Sequence, residues 1–277
     1  MTWVIFALLT ALFRSLTDVA GKFGLKNMNE YIVAWALNFF SLPFLIPILF
    51  FIEIPEISSG FWIAMPVSGL LNVTAVILYM RAIKLSDLSL SIPMVTFTPL
   101  FLLITSPIIV GEFPNIYGIC GILLIVFGSY FLNIKQKKNG YLAPFKALIN
   151  EKGPKLMLIV AFIWSISSNF DKIGIQNSSA IFWGISINIF ITLAITPIVL
   201  LRSRKNIKQI AGNLKPLIAV GFTNAVMILC HMIAISMTLV AYLISIKRTS
   251  AIISVIFGSI FFKPKLSGLN AVKKRFT

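Results

Sequence analysis

The sequence has little of what soluble enzymes depend on. Its 277 residues include one histidine, eight acidic residues and two cysteines, and only 12% are charged. Soluble globular chains carry about 25% charged residues. One histidine and two cysteines in separate apolar runs, Cys120 and Cys230, do not make a metal-ligand set. No metal or other cofactor is therefore expected, and both thiols are read as buried and free. The sequence has no Walker-type glycine loop and no credible catalytic triad, which argues against an enzyme and against transport driven directly by ATP. It also has no repeated selectivity-filter loop, which makes an ion channel a weaker reading. The net charge of +16 does not indicate nucleic acid, because the basic residues sit in short clusters between apolar runs and no long soluble segment carries them on one face.

What is abundant is apolar: 58% of residues are hydrophobic and 24 are phenylalanine. A core of this size cannot hide so much apolar surface, so lipid is the solvent. Runs of about 20 residues, enough to cross ~30 Å of hydrocarbon, predict helices at 3–22, 31–52, 61–80, 88–110 and 115–133. After a basic stretch they resume at 156–172, 180–201, 216–236 and 239–262, nine helices in all. Backbone polar groups in lipid must be paired within the segment, which makes these runs helical. The first ten residues show no basic leader and no cleavage site, so the first run is read as a retained membrane helix.

The chain repeats itself. Gly69, Asn72, Met80, Ala82 and Ile83 recur as Gly221, Asn224, Met232, Ala234 and Ile235. Ala11, Lys22, Gly24 and Asn38 recur as Ala161, Lys172, Gly174 and Asn188, at an offset of 150 to 152 throughout. This predicts a duplicated five-helix unit: 1–134 as the first repeat, 135–155 as a basic loop, and 156–277 as a second repeat without its fifth helix. An odd number of helices per unit inverts the second copy, a plan common in secondary transporters. Lys22, Lys26, Arg81, Lys84, Lys135 to Lys155, Arg202 to Lys215 and the residues from Lys263 onward fall after odd-numbered helices. The positive-inside rule places those loops in the cytoplasm and the N-terminus outside.

The stretch Ala82 to Asn133, AIKLSDLSLSIPMVTFTPLFLLITSPIIVGEFPNIYGICGILLIVFGSYFLN, resembles the end of an EamA domain of the drug/metabolite transporter superfamily. Ala234 to Gly268, AISMTLVAYLISIKRTSAIISVIFGSIFFKPKLSG, carries a similar pattern. The resemblance implies an all-α polytopic membrane protein of two five-helix inverted repeats, the ten-helix EamA-type fold, with a central cavity used in alternating access. The tenth helix is missing from this sequence, and the acidic residue kept as Glu112 in the first half is Pro264 in the second. The implied function is secondary transport of a small metabolite (an amino acid, sugar or organic anion) in a prokaryotic plasma membrane. The alternative is a truncated, non-transporting membrane protein. A homodimer and a coupling proton are open as partners; membrane lipid is required.

Ionisable residues in membrane helices are costly and usually face a cavity or a partner. Lys247 and Arg248, inside the ninth helix, are candidates to attract an anionic substrate or pair with a carboxylate during gating; about 100° apart on a helix, they are not expected to share a contact. Arg14 and Asp18, four apart, share a face and predict an internal ion pair, with Asp18 a candidate proton carrier. His231 stands where the first repeat has Tyr79, and both offer polar tips from apolar helices. Asn72 and Asn224 are read first as interhelical glue. Trp35, Trp164 and Trp183 face either a cavity or the interface. Pro93, Pro99 and Pro107 predict kinks in the fourth helix, and Gly118, Gly121 and Gly128 predict close packing of the fifth.

Overall fold

The structure is a computed structural model describing residues 2–26, 28–86, 88–134 and 151–261. All regular structure among these residues is helical. In chain order the helices are α1 (Thr2–Leu25), α2 (Glu30–Phe39), α3 (Leu42–Leu45), α4 (Ser59–Leu85), α5 (Leu88–Val95), α6 (Thr98–Ile109), α7 (Ile116–Ile134), α8 (Lys152–Gln176), α9 (Ala180–Arg202), α10 (Leu214–Met237), α11 (Val240–Lys247) and α12 (Ser250–Phe261). A 3-10 turn, Ile46–Phe51, extends α3. Among the described residues, six stretches are long and apolar enough to cross a membrane: Thr2–Leu25, Glu30–Phe51, Ser59–Leu85, Lys152–Gln176, Ala180–Arg202 and Ala211–Met237. Large apolar side chains such as Phe50, Phe51, Trp62, Ile108 and Leu201 lie on the outside of the bundle. An apolar exterior over an apolar interior is what lipid as solvent requires. The molecule is an all-α, multi-spanning membrane protein.

The helices run further than the apolar runs alone suggest. Helix α1 continues to Leu25, α4 to Leu85 and α8 to Gln176, so Lys22, Arg81, Lys84 and Lys172 belong to helices and not to the loops after them. Helix α8 also begins at Lys152, inside the expected basic loop, with Pro154 in its first turn where no backbone donor is needed. The rest of that loop, Lys135 to Asn150, and the tail from Phe262, including Pro264, lie outside the described residues.

Three expected helices are interrupted: residues 31–52 at Phe40 and Ser41, between α2 and α3, and two others that are each broken in two. Residues 88–110 form α5 and α6 around Thr96 and Phe97, and 239–262 form α11 and α12 around Arg248 and Thr249. The pieces match in length, eight then twelve residues, at an offset of 152. Pro99, in the first turn of α6, lacks the N–H needed to continue the preceding helix. The second break has no proline; it forms where Arg248 turns towards the first.

Packing is exchanged between halves. Helix α1 lies along α10, and α8 along α4. Helices α5 and α12 touch, as do α6 and α11, so the two broken helices cross at their breaks. Close approach depends on glycines in equivalent places. A Cβ on Gly221 would sit 2.4 Å from the backbone carbonyl of Phe40, while one on Gly69 would sit 2.2 Å from the Phe190 ring. On α7 only Gly118 is pressed close, against Tyr242; Gly121 and Gly128 face open space. The expectation of three packing glycines therefore holds for one. Cys120, expected buried, is exposed on the same helix, because α7 turns only part of its surface to the bundle; Cys230 is buried.

Replacing Gly221 with alanine forces α10 away from the Phe40 backbone and is expected to destabilise the protein by about 1–3 kcal/mol. Gly69→Ala meets a ring that can swing aside and should cost less. Thermal unfolding in detergent micelles measures both; equal losses would contradict this packing account.

A candidate binding cavity where two broken helices cross

Breaking a helix inside a membrane leaves backbone groups that lipid cannot satisfy, and such backbone is tolerated where protein buries it. Thr96, Thr98, Arg248 and Ser250 are all buried. Each break is closed by a threonine hydroxyl: Thr98 Oγ1 donates to the Val95 carbonyl at 2.7 Å, and Thr249 Oγ1 to the Ile246 carbonyl at 2.7 Å. Arg248 Nη2 then donates to Thr98 Oγ1 at 2.9 Å, joining one break to the other.

Beside this junction is a cavity of about 100 Å³ lined from both halves of the chain. Ligand pockets usually span about 300–1,000 Å³, so this cavity is small and fits only a compact group. Arg14, Asn72, Asn224, His231, Lys247 and Arg248 all line it. Lys247 and Arg248 both line this space, but only Arg248, whose N–H still bonds the Ile244 carbonyl at 3.0 Å, contacts Thr98 and Trp164. Among the described residues, no carboxylate lies within 4.0 Å of the Lys247 ammonium. Among the described residues, Arg248 Nε, His231 Nδ1, Asn188 Oδ1 and Ser167 Oγ are buried without a hydrogen-bond partner, and all four residues line the cavity. A buried polar atom left unpaired costs about 1–3 kcal/mol, so four at one cavity mark a place suited to a polar group.

Asp18 and Tyr79 stand behind the cavity and do not line it. Asp18 pairs with Arg14 at 3.1 Å, accepts from the Tyr79 hydroxyl at 2.6 Å and from Ser254 Oγ at 2.9 Å. The Arg14 guanidinium lies 4.4 Å from the Tyr79 ring centre and 4.9 Å from that of Trp164; the Arg248 guanidinium lies 5.2 Å from the Trp164 ring centre. Trp164 therefore holds two cations close together by its π-faces and also lines the cavity. Asn224 bonds the Leu37 carbonyl at 3.1 Å and Ser41 Oγ at 3.0 Å, tying α10 to α2. Asn72 bonds only within its own helix, to Ser68. Trp35 donates to Thr196 Oγ1 at 3.0 Å, and Trp183 is fully buried.

Asp171 was missed by the sequence reading. It lines the cavity and accepts from Ser68 Oγ at 2.6 Å and from Trp183 Nε1 at 3.2 Å. Placing the end of the sixth helix at residue 172 made it look like a boundary charge. The available signal was an acid inside a segment that must cross lipid.

Two lysines hold the ends of the bundle. Lys22 donates to the carbonyls of Ile83 and Ser86, closing the C-terminus of α4. Lys172 donates to Ile235 O at 2.7 Å and Thr238 O at 2.9 Å, closing the C-terminus of α10. An ammonium on exposed helix carbonyls is favourable both as a hydrogen bond and against the helix dipole. The Ser58 N–H bonds the Asn177 carbonyl, which puts the Lys172 end of α8 at the start of α4; the lysines therefore sit at opposite ends of α4. Lys172 also lies 3.5 Å from Glu112, whose other oxygen accepts from the Val240 N–H at 2.7 Å and so fixes the start of α11. Gly111, at a φ of 68° that favours glycine, turns the chain out of α6 just before Glu112.

Replacing Asp18 with alanine strands Arg14, Tyr79 and Ser254 together and is expected to cost about 3–5 kcal/mol, the usual penalty for breaking a buried ion pair from one side. A fall in melting temperature smaller than that of a surface control such as Lys84→Ala would contradict the structural role given to this carboxylate.

Residues 1–134 match the EamA-like transporter family. Over 135 residues the chain is 25% identical to the uncharacterized transporter YxxF of Bacillus subtilis (strain 168). That match covers 48% of this chain and 43% of the relative, so the chain spans less than half the length of the curated relative it matches.

Proposed function

Given that this chain is a member of the EamA-like transporter family through residues 1–134, we propose that it is a secondary transporter that carries a small solute through the central cavity by alternating access. Its setting is a bacterial-type plasma membrane, and the family is one of transporters and not of enzymes. The observation that carries the proposal is the cavity at the crossing of two broken helices, where buried polar atoms stand unpaired. Discontinuous helices around a site near mid-membrane are the usual construction of secondary transporters.

The two halves are read as inverted repeats, the first at 1–134 and the second from 156 onward. The exchanged contacts, the equal broken helices and the two lysine clasps support this reading. On it, Lys22 and Lys172 close opposite entrances, and each conformation releases one clasp. Glu112 makes the Lys172 clasp the more elaborate, since it binds both the lysine and the start of the helix that carries Lys247. Asn72 and Asn224 line the path, with Asn224 also holding α10 to α2. Neither a coupling proton on Asp18 nor a homodimer is needed for this cycle.

The test is counterflow in proteoliposomes loaded with mixed labelled solutes. Saturable exchange is expected, falling to background when the junction is cut by Thr98→Val with Arg248→Leu. In the same vesicles Glu112→Gln should loosen one entrance: a cysteine placed at Met227 in the Cys120→Ser, Cys230→Ser background should react faster with an impermeant maleimide from one face only. Unchanged reactivity from both faces would remove Glu112 from gating.

A further inference from the structure

The charges around the cavity do not balance. Arg14 and Asp18 neutralise each other through their 3.1 Å contact. Lys247 and Arg248 remain on one wall and Asp171 on another, all lining the same space. With the His231 imidazole neutral and the other groups at their ordinary charges, two cations face one carboxylate, leaving one unit of positive charge. Asp171 does not cancel Lys247 by contact: no ion pair within 4.0 Å joins them, and the carboxylate is held by Ser68 and Trp183. An uncompensated charge away from water is costly, so the cavity is built for an occupant that supplies a single negative charge.

The remaining wall describes the rest of the occupant. Val76, Ile187, Ile191, Met227 and Ile244 are apolar, and Trp164, the aromatic residue of the lining, lies near both Arg14 and Arg248. These surfaces suit a short hydrocarbon body. Arg248 Nε and the Lys247 ammonium are the donors left for an anionic oxygen, and His231 Nδ1 is a further unpaired polar atom beside them.

We propose that the cavity binds a small monocarboxylate with an apolar body, its carboxylate on Lys247 and Arg248 and its chain against Trp164 and the aliphatic wall. A zwitterion leaves the excess positive charge uncompensated. A dianion overshoots it and brings its second charge towards Asp171. Asp171 is thereby a specificity residue: it sets the charge the cavity accepts at one. The inference rests on the cavity being the transport site, but equilibrium binding tests it separately from flux.

The experiment is equilibrium dialysis of the purified chain in detergent micelles with radiolabelled butyrate, with unlabelled competitors. Butyrate should bind saturably, while butyramide (neutral), valine (zwitterionic) and succinate (dianionic) should each compete at least about tenfold less well, the scale of one lost charge-assisted hydrogen bond. Lys247→Met should weaken butyrate at least about tenfold and Lys247→Arg should restore much of it. Asp171→Asn keeps an oxygen for Ser68 and Trp183 but raises the charge by one, and should reverse the order of butyrate and succinate. That reversal, like the wild-type competition series, does not depend on the Lys247 variants folding. The proposal is overturned if butyrate shows no saturable binding, if butyramide or valine competes as well as butyrate, or if Asp171→Asn leaves the order unchanged. Butyrate binding without counterflow would sink the transport reading and leave this inference standing; counterflow of neutral or zwitterionic solutes alone would do the reverse.

Discussion

A helix interrupted at membrane depth must find partners for its freed backbone groups inside the protein, because hydrocarbon offers none. Two of the interruptions in this chain, at 96–98 and 248–250, meet that constraint by crossing each other. Threonine hydroxyls close the carbonyls, and an arginine from one break fastens on the threonine of the other. Much else follows from that junction. Arg248, at the end of α11, points inwards to Thr98, and the long helices α1, α4, α8 and α10 pack around the crossing as a sheath.

Much of the architecture was legible in the sequence for a simple reason. In lipid the length of an apolar run and its helicity are nearly the same information, so each run read from the sequence is built mainly of helix among the described residues, with interruptions at 40–41, 96–97 and 248–249. The repeat markers were legible because they do a geometric job. Gly69 and Gly221 each admit a phenylalanine, Phe190 and Phe40, that is itself repeated at an offset of 150. Gly174 does the same against Trp183, where a Cβ would sit 2.3 Å from the ring, while Gly24 faces Val33 at an ordinary 3.5 Å. Lys22 and Lys172 recur because each closes the same carbonyls in its own half.

The site was legible only in part. Arg14 with Asp18 followed from helical spacing, and Lys247 with Arg248 from the cost of charge in a membrane span. Asp171 was hidden by its neighbour Lys172, which looked like the polar edge of a helix but is buried against carbonyls. The break at Arg248 carried no proline or glycine to announce it, since its cause is a contact with a residue 150 positions away. The fifth helix showed the opposite error: small residues read as packing signals proved, at Gly121 and Gly128, to face outwards.

The two halves are alike but not equal. Asn224 reaches across to Leu37 O and Ser41 Oγ, and Ser41 in turn donates to the Gly221 carbonyl at 3.0 Å. In the other half Asn72 stays within its own helix, and the position matching Ser41 is Ile191, which has no hydroxyl to offer. Three hydrogen bonds thus clamp one side of the bundle that have no counterpart on the other, each worth roughly 1 kcal/mol net. Among the described residues the bundle is therefore tied more firmly where α10 meets α2 than where α4 meets α9, and two halves with the same outline differ in how tightly each is fastened to its neighbour.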